Sequence, residues 1–514
     1  MLHRMSNFGS ILCALVLGSF LAVAVLLGPG RVAAQDEPFE SVRLPVDGRP
    51  VQVWTGTFSA RCERGALDML VIVIRGAPPR EQRSIVHFPC QAGTRLNAEA
   101  AQKFAVPRDG VAVDAYGPGS ELVFLRPSGL QLVSLADPEK QREIHAPGGL
   151  PLVPRSRGLS RMPLVGPWGA DGRPAALLPT LTGARVVDMT DGSQRSIELP
   201  MMADYETQAP GLPNPVDHFM LERAAWPLLL PGDDNGDGRT DLFALTRWNL
   251  AVLRAGEEGL PQQPSRLIEL RPFEDRHEIR PEQSGTTYRA TDLNADGLTD
   301  LVLHRSWGSM MRGRGTTSLF FNAGEGVRPD FPPDVLRERE DGFSTIEFLD
   351  LDGDGWFEGV ETSMQFGLVQ AVRMLLTRSG KATVEILTLD REPPHRLVSS
   401  WKQDIRFKID FGEARIEGLF PVLDTDWNAD GRNDLLYMDS DKEIAVRLGE
   451  AGERGPSFSN RVAGQASPLR AGRSTSADLD GDGLEDLILY DPQASVGAVW
   501  VYYNRGRLPG SPVR

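Results

Sequence analysis

Five short stretches of the sequence carry oxygen-bearing side chains at alternate positions, followed by a glycine, another acid and an apolar run. They share the rule D-x-[DN]-x-D-G-x-x-[DE], and they begin at Asp233, Asp292, Asp350, Asp426 and Asp478. Because like charges this close together repel one another, the pattern predicts a counter-ion. Oxygens at positions one, three and five can converge on one point if the backbone curls around it, and the glycine at position six supplies the positive φ that this curl requires.

The predicted ligands are the side chains at positions one, three, five and nine of each loop. They are Asp233, Asn235, Asp237 and Asp241; Asp292, Asn294, Asp296 and Asp300; Asp350, Asp352, Asp354 and Glu358; Asp426, Asn428, Asp430 and Asp434; and Asp478, Asp480, Asp482 and Asp486. Oxygen-only ligands in a flexible loop favour calcium over magnesium, which requires a stricter octahedron, and over zinc, which prefers nitrogen or sulfur. We therefore expect about five structural calcium ions.

Two other interpretations of these loops are open. The stretch from Asp350 to Glu361 also satisfies the EF-hand pattern, with Glu361 at position twelve. The corresponding residues of the other four loops are Ala244, Leu303, Tyr437 and Leu489. Segments beside the loops, such as DLFALT and DLILY, read as strands rather than helices. Turns without metal are the second alternative, because Asp, Asn and Gly favour turns, but five copies with an acid at position nine favour an ion.

Each loop is expected to lie between two strands of a larger repeated unit. The apolar run after position nine predicts one strand, and a further strand ending near glycine follows in TSLFFNAGEG and VWVYYNRG. The combination resembles the FG-GAP or VCBS repeat family, the four-stranded blades of integrin-like, calcium-binding β-propellers. The resemblance covers residues 226–506. It implies an all-β fold of four-stranded antiparallel blades.

The first half of the chain carries the same unit in a decayed form. Unit starts near residues 60, 114 and 167 continue the later starts at intervals of 52 to 76 residues, which makes eight units. We expect a single eight-bladed propeller over residues 35–510, with degenerate blades at about 50–225 and calcium-loop blades at about 226–506. Seven blades remain possible if one weak unit is miscounted. The N-terminal stretch FESVRLPV is expected to complete the last blade and so close the ring.

The N-terminus has the composition of a signal peptide. Arg4 precedes an apolar stretch from Ile11 to Leu27, and Val32-Ala33-Ala34 forms a small-residue cleavage site, so residues 1–34 are predicted to be removed. An uncleaved anchor is the alternative. Export would place Cys62 and Cys90 in an oxidising compartment, where they are expected to pair, although a reactive thiol remains open. The predicted location is periplasmic, cell-surface or secreted, and the family resemblance favours a bacterial envelope.

Composition and the family resemblance together narrow the expected function. The formal charge of −15 argues against a nucleic-acid partner. The chain contains no G-x-S-x-G, H-E-x-x-H, Walker or dinucleotide motif. The resemblance implies that ligands meet the face opposite the calcium loops, where basic and aromatic residues are candidates, although solvated loop charges are the simpler alternative. The candidates are His304, Arg305, Trp307, Arg312, Arg314, Arg271 and Arg276.

We therefore expect a monomeric binding or adhesion module for a protein or glycan ligand, with no membrane span in the mature chain. The alternative is a propeller-fold lyase or hydrolase that acts on acidic polysaccharide.

Overall fold

The computed structural model describes most of the chain after residue 36. The described residues are 37–59, 62, 65–77, 80–90, 93–116, 120–153, 159–206, 221–270, 284–309, 312–340, 343–364, 373–374, 376–410, 415–417, 421–440, 443–466, 472–494 and 497–512. The predicted signal peptide at 1–34 lies outside them. Glu37–Arg514 forms one compact unit. Within the described residues, no helix has the length and apolar character needed to cross a membrane.

The described chain is almost entirely β-structure, with 3-10 turns at Ala98–Ala100 and Ala170–Gly172. Strand β1 covers Phe39–Pro45. Blade 1 contains β2 Arg49–Gly56, β3 Asp68–Arg75, β4 Gln82–Phe88 and β5 Gln102–Ala105. Blade 2 contains β6 Ala112–Tyr116, β7 Glu121–Arg126, β8 Gly129–Ser134 and β9 Gln141–His145, with β10 Ser160–Arg161 added beside β6. Blade 3 contains β11 Val165–Gly166, β12 Ala175–Thr180, β13 Gly183–Asp188 and β14 Gln194–Glu198. A two-stranded ribbon of β15 Met202–Glu206 and β16 Leu221–Ala225 follows.

The second half of the chain continues the same plan. Blade 4 contains β17 Leu228–Gly232, β18 Asp241–Leu245, β19 Asn249–Leu253 and β20 Arg266–Glu269. Blade 5 contains β21 Ser284–Thr291, β22 Asp300–Ser309, β23 Arg312–Phe320 and β24 Val335–Glu340. Blade 6 contains β25 Phe343–Leu349, β26 Glu358–Met364, β27 Ser379–Leu389 and β28 Leu397–Asp410, with β29 Arg415–Glu417 added at its edge.

The last two blades bring the chain back to its start. Blade 7 contains β30 Val422–Thr425, β31 Asp434–Ser440, β32 Glu443–Arg447 and β35 Gly464–Ala466, and a ribbon of β33 Gly449–Gly452 and β34 Gly455–Phe458 interrupts it. Blade 8 contains β36 Arg473–Ala477, β37 Asp486–Tyr490, β38 Ala498–Asn504 and, as its fourth strand, β1. Strand β1 pairs antiparallel with β38 from Phe39 opposite Asn504 to Pro45 opposite Ala498. The expected eight-bladed propeller, closed by the N-terminal strand, is therefore confirmed.

The hydrophobic core is divided among the interfaces between neighbouring blades. Eight buried clusters follow the ring, and each joins one blade to the next. In β18, Leu242 and Ala244 face blade 3 while Phe243 and Leu245 face blade 5. Because both faces of such a central strand are buried, its sequence is a continuous apolar run rather than an alternating one.

One disulfide lies in blade 1. Cys62 and Cys90 are bonded, and their Cα atoms are 5.4 Å apart. Cys62 lies between β2 and β3, whereas Cys90 follows β4. The predicted pairing is thus confirmed, and it links two connections on the same face of the ring.

Candidate metal centres and ligand face

The five acidic loops lie on a common face of the propeller. Each joins the first and second strands of its blade, from β17–β18 in blade 4 to β36–β37 in blade 8. We call this the loop face, and we call the opposite side, which carries the connections between second and third strands, the hairpin face. Strands rather than helices flank every loop. This contradicts the EF-hand alternative, and Glu361 lies within β26, where its carboxylate pairs with Arg337 and Arg339.

The acid at position one organises the backbone of each loop. In the loop of blade 8, Asp478 Oδ1 accepts hydrogen bonds from the N–H groups of Gly481 and Asp482, and Oδ2 accepts one from Gly483. The other position-one residues make the same kind of contact with the loop backbone; they are Asp233, Asp292, Asp350 and Asp426. These N–H groups draw the loop into the curl that the spacing predicts.

Two positions of each loop have left-handed backbone conformations. The glycine at position six has φ between 76° and 89° in all five loops, as expected. Position four has a positive φ as well, and in two loops it is an alanine: Ala295 has φ 59° and Ala429 has φ 56°. An L-residue pays a steric cost in this region. The sequence prediction missed position four, which is glycine in the other three loops, at Gly236, Gly353 and Gly481.

The side chain at position three carries an oxygen that lacks a hydrogen-bond partner in the loops of blades 6 and 7. Asp352 Oδ1 and Asn428 Oδ1 are buried and make no hydrogen bond. The amide nitrogen of Asn428 donates to Asp430 Oδ2 at 2.9 Å, and it is therefore the oxygen that remains unpaired. Burying a polar atom without a partner costs free energy. A cation would supply the missing partner.

The acid at position nine is buried, and it contacts the backbone on two sides. Asp434 Oδ2 accepts from the N–H of Trp427 at position two, and Oδ1 accepts from the N–H of Gly449 beyond the third strand. The equivalent carboxylates of Asp241, Asp300 and Asp486 make the same two contacts, while Glu358 makes the first. This residue was predicted only as a ligand that closes the cage. Its backbone contacts show that it also ties the loop to the blade.

Burial raises the pKa values of these position-nine acids, and neighbouring loop carboxylates raise them further. The pKa is raised to about 7 for Asp300 and Asp434, and to about 8 for Glu358 and Asp486. The backbone N–H donors oppose the shift without cancelling it. A divalent cation in the loop would favour the ionised forms and relieve the repulsion.

In two loops the carboxylate oxygens converge closely enough to share one ion. The groups are Asp350, Asp352 and Glu358 in blade 6, and Asp478, Asp480 and Asp486 in blade 8. Within each group the three oxygens lie within 4.8 Å of one another. Ligands on opposite sides of a calcium ion are about 5 Å apart, since each bond is about 2.4 Å long. The oxygen donors, their spacing and the unpaired oxygen at position three therefore fit calcium.

Neighbouring loops are joined by hydrogen bonds that the sequence prediction missed. The N–H at position eight donates to the preceding loop: Thr299 to Asp233 O, Phe357 to Leu293 O, and Asn433 to Leu351 O. Asn322, which follows β23, and Asn504, which ends β38, donate their side-chain N–H groups to Asp234 O and Trp427 O of the preceding loops. The recurring asparagine in FFNAGEG and YYNRG was the available signal. Loop geometry in one blade is therefore coupled to the next.

The described candidates for the ligand face lie on the paired strands β22 and β23 and differ in exposure. Arg271 and Arg276 lie outside the described residues, as does the side chain of Arg312. His304 is buried, and its ring nitrogens lie 2.9 Å from Thr317 Oγ1 and 3.0 Å from Ser344 O. Arg305 and Trp307 are half-buried in β22. Arg314 is exposed, with its guanidinium 3.8 Å from Glu340. His304, Arg305, Trp307, Arg312 and Arg314 belong to β22 and β23, which lengthen blade 5, rather than to a free loop.

Comparisons with known proteins add little to this description. No protein-family model matches the chain, and no curated protein matches it. Among solved structures, the chain is similar to an Agrocybe aegerita lectin described for specific recognition of non-reducing terminal N-acetylglucosamine. The sequence identity is 14%, the match covers 68% of this chain and 88% of the lectin chain, and the TM-score is 0.26. The fold assignment therefore rests on the strand pairing described above.

Proposed function

We propose that the protein is an exported, calcium-stabilised β-propeller that acts as a binding or adhesion module for a protein or glycan ligand. The observation that carries the calcium assignment is the convergence of carboxylate oxygens at positions one, three and nine, with Asp352 Oδ1 buried and unpaired among them. Residues at these positions, together with the acid at position five, would hold the ion. The repeat pattern and its resemblance to FG-GAP or VCBS repeats support the same assignment.

The physical contribution of calcium is electrostatic. A bound ion would neutralise a group of acids that otherwise repel one another inside a partly buried loop. Because adjacent loops share hydrogen bonds, an ordered loop would also support its neighbour. Extracellular calcium sites of ordinary affinity, about 10⁻⁴ to 10⁻³ M, each add about 0.4 to 1.4 kcal/mol at millimolar calcium. Five such loops would together contribute about 2 to 7 kcal/mol.

The calcium assignment is tested by metal analysis with matched variants. In equilibrium dialysis against buffer with calcium well above 10⁻³ M, the wild-type protein is expected to bind about five ions in excess of the buffer. Asp482→Asn removes a position-five ligand and should lower the count by one. Asp191→Asn is the control, because Asp191 also accepts a backbone N–H two residues ahead but lies outside the acidic loops. Wild-type protein without bound metal would refute the assignment.

The binding role needs a separate measurement. Wild-type protein with calcium is applied to an array of glycans and immobilised envelope proteins, and retention is compared after chelation. A binding module should retain a restricted set of ligands at micromolar concentration and lose them when the blades loosen. If a calcium-loaded, folded chain binds no member of the array, the calcium assignment stands and the binding role fails.

A further inference from the structure

A basic cleft lies on the hairpin face of blade 1, beside the point where the ring closes. Its volume is 770 Å³, and five cationic side chains line it: Arg75, Arg80, Arg83, Lys103 and Arg108. The same cleft contains two acids, Asp47 and Glu81, so its formal charge is 5 − 2 = +3. This is unusual in a chain whose formal charge is −15. A concave surface of one charge sign attracts ligands of the other.

The cations of this cleft have different roles. The Arg83 guanidinium donates to the carbonyl oxygens of Pro107, Arg108 and Gly110, and so holds the connection after β5 in place. Arg75 and Lys103 each lie 3.1 Å from the same Asp47 carboxylate oxygen. One acid thus serves two cations, and part of their charge remains available to a ligand.

Arg80 and Arg108 are the cations that a ligand can engage most directly. Both are exposed, and neither side chain has a hydrogen-bond or ion-pair partner among the described residues. Guanidinium groups bind carboxylates and sulfates through paired N–H donors. These two side chains therefore offer charge-assisted hydrogen bonds to an anionic group without first losing a contact within the protein.

Glu81 adds a second requirement for the ligand. Its Oε1 atom is buried and has no hydrogen-bond partner, although it lies in a cleft dominated by cations. A carboxylate oxygen can only accept hydrogen bonds while it is ionised. The ligand that satisfies the whole cleft must therefore carry anionic groups for the arginines and a hydroxyl or N–H donor for Glu81.

A second cleft of 410 Å³ extends the surface along the outer strand β5 towards blade 2. It shares Lys103 with the basic cleft and is lined by Gln131 and Gln141. The Gln131 amide donates to Gln141 Oε1 at 2.7 Å and the Gln141 amide to Pro138 O at 3.1 Å, and each amide nitrogen keeps a second N–H for a ligand hydroxyl. The aromatic side chain in its lining, Phe104, is buried. Nucleic-acid bases would therefore find no stacking platform among the described lining residues. The continuous surface suits an elongated, hydroxyl-rich anion.

We propose that this surface binds an acidic oligosaccharide, whose carboxylates or sulfates pair with Arg80 and Arg108 and whose hydroxyls bond to Glu81. The inference rests on the binding role proposed above, for which it names a site and a ligand class. It places the expected site on the hairpin face of blade 1 rather than on blade 5.

The test compares defined ligands on calcium-loaded full-length protein by calorimetry. Hexagalacturonate and a chondroitin sulfate hexasaccharide separate carboxylate from sulfate recognition, while cellohexaose and hexathymidylate are the neutral-glycan and nucleic-acid probes. At least one of the two acidic glycans should bind, and its affinity should weaken with added salt. The double variant Arg80→Glu/Arg108→Glu should lose about a hundredfold in affinity, about tenfold for each charge-assisted contact.

The matched control has the same change of charge elsewhere. Arg454→Glu/Arg461→Glu alters two exposed arginines of blade 7 and should bind like the wild type. Equal losses in both double variants would show attraction by net charge alone and overturn the site. Binding of hexathymidylate as tight as that of the acidic glycans, or no glycan binding, would overturn the ligand class. Metal content and melting temperature, measured on the same samples, show whether the calcium-stabilised propeller is intact.

Discussion

Blades 1–3 and blades 4–8 use different groups to anchor the connection between their first and second strands. In blades 4, 5, 7 and 8, the acid at position nine ties the loop between the first two strands to the backbone at the end of the third strand. In blade 2 the backbone carbonyl of Ser120 accepts the corresponding bond from Leu135 N–H, and in blade 3 Pro174 O accepts it from Met189 N–H. A neutral carbonyl there leaves no buried charge. The blade architecture itself therefore does not require a metal ion.

Blade 1 is the intermediate case. Asp68 is fully buried and accepts backbone N–H bonds from Phe58, Ser59 and Cys90, much as a position-nine acid does. Burial would raise the pKa of Asp68, but the nearby His87 imidazole and the backbone N–H donors hold it below its ordinary value. The acid has a protein partner here, and the disulfide adds a covalent link. In blades 4–8 the partner would be an ion.

Chelation is expected to have the largest effect on stability and to affect blades 4–8 before blades 1–3. Removal of calcium should lower the free energy of unfolding by about 2 to 7 kcal/mol. Backbone amides of blades 4–8 should lose protection before those of blades 1–3, because only the former carry complete acidic loops. Hydrogen exchange read by mass spectrometry, with and without EDTA, measures this. A uniform loss of protection around the ring would contradict the division.

The chelated protein should also respond to pH in a particular direction. Because burial raises the folded-state pKa of Asp300 and Asp434 to about 7 and that of Glu358 and Asp486 to about 8, the metal-free folded state binds more protons than the unfolded state above about pH 4. Its stability should therefore fall as pH rises from about 5 to about 8. Melting temperatures in EDTA across this range measure the slope. Saturating calcium should remove most of it, and an identical slope in both conditions would contradict the role of the ion.

Reduction of the disulfide should weaken blade 1, which has no complete acidic loop. Cys62 and Cys90 are separated by 28 residues, and a link of this length stabilises a fold by about 3 kcal/mol. Cys62→Ser/Cys90→Ser should therefore lower the melting temperature while leaving the calcium content unchanged. Chelation should have the reverse effect, because it removes calcium and leaves the disulfide intact. Loss of bound calcium in the cysteine variant would mean that the two regions are not independent.

Single substitutions compare a position-nine acid, Asp486, with the corresponding buried acid of blade 1, Asp68. Asp486→Asn and Asp68→Asn each remove a carboxylate oxygen that accepts a backbone N–H, which should cost about 1 to 3 kcal/mol. The cost of Asp486→Asn should shrink in EDTA, because the metal-free acid already carries a raised pKa. The cost of Asp68→Asn should not depend on calcium. Denaturant titrations in both conditions provide the values, and equal calcium dependence would contradict the assignment.

The smallest expected effect concerns position four of the loops. Ala295→Gly and Ala429→Gly place glycine where φ is 59° and 56°, and each should raise stability by up to about 1 kcal/mol. Ala184→Gly, in the buried strand β13 where the backbone is extended, is the destabilising control. Melting temperatures show whether each variant is stabilised or destabilised. Loss of stability in both loop variants would show that the positive φ carries no strain.

The sequence allowed prediction of features that repeat, and it failed where the structure departs from repetition. The spacing of Asp233, Asp292 and the later loops predicted the blades, and a spare strand before residue 46 predicted the closure. The ribbons β15–β16 and β33–β34 are single events with no second copy to reveal them. His304 was misjudged because β22 continues to Ser309, and strand alternation turns this side chain towards blade 6.

The basic cleft could not be predicted, since no short segment contains it. Its cations come from residues near 75–83 and 103–108, and they meet only after β3, β4 and β5 pair. Arg80 and Arg108 each look like an ordinary solvated charge in the sequence. Their significance depends on a shared concave surface and on the unpaired Glu81 oxygen.

The pairing of β1 with β38 also has a consequence for biogenesis. A ribosome makes Phe39 465 residues before Asn504, its partner in the sheet. During synthesis β1 is an unpaired edge, open to mispairing with other nascent chains until β38 has been made. A truncated product lacking β38 could not seal itself. Quality-control machinery would thus have a simple signal of completeness: the disappearance of one exposed strand.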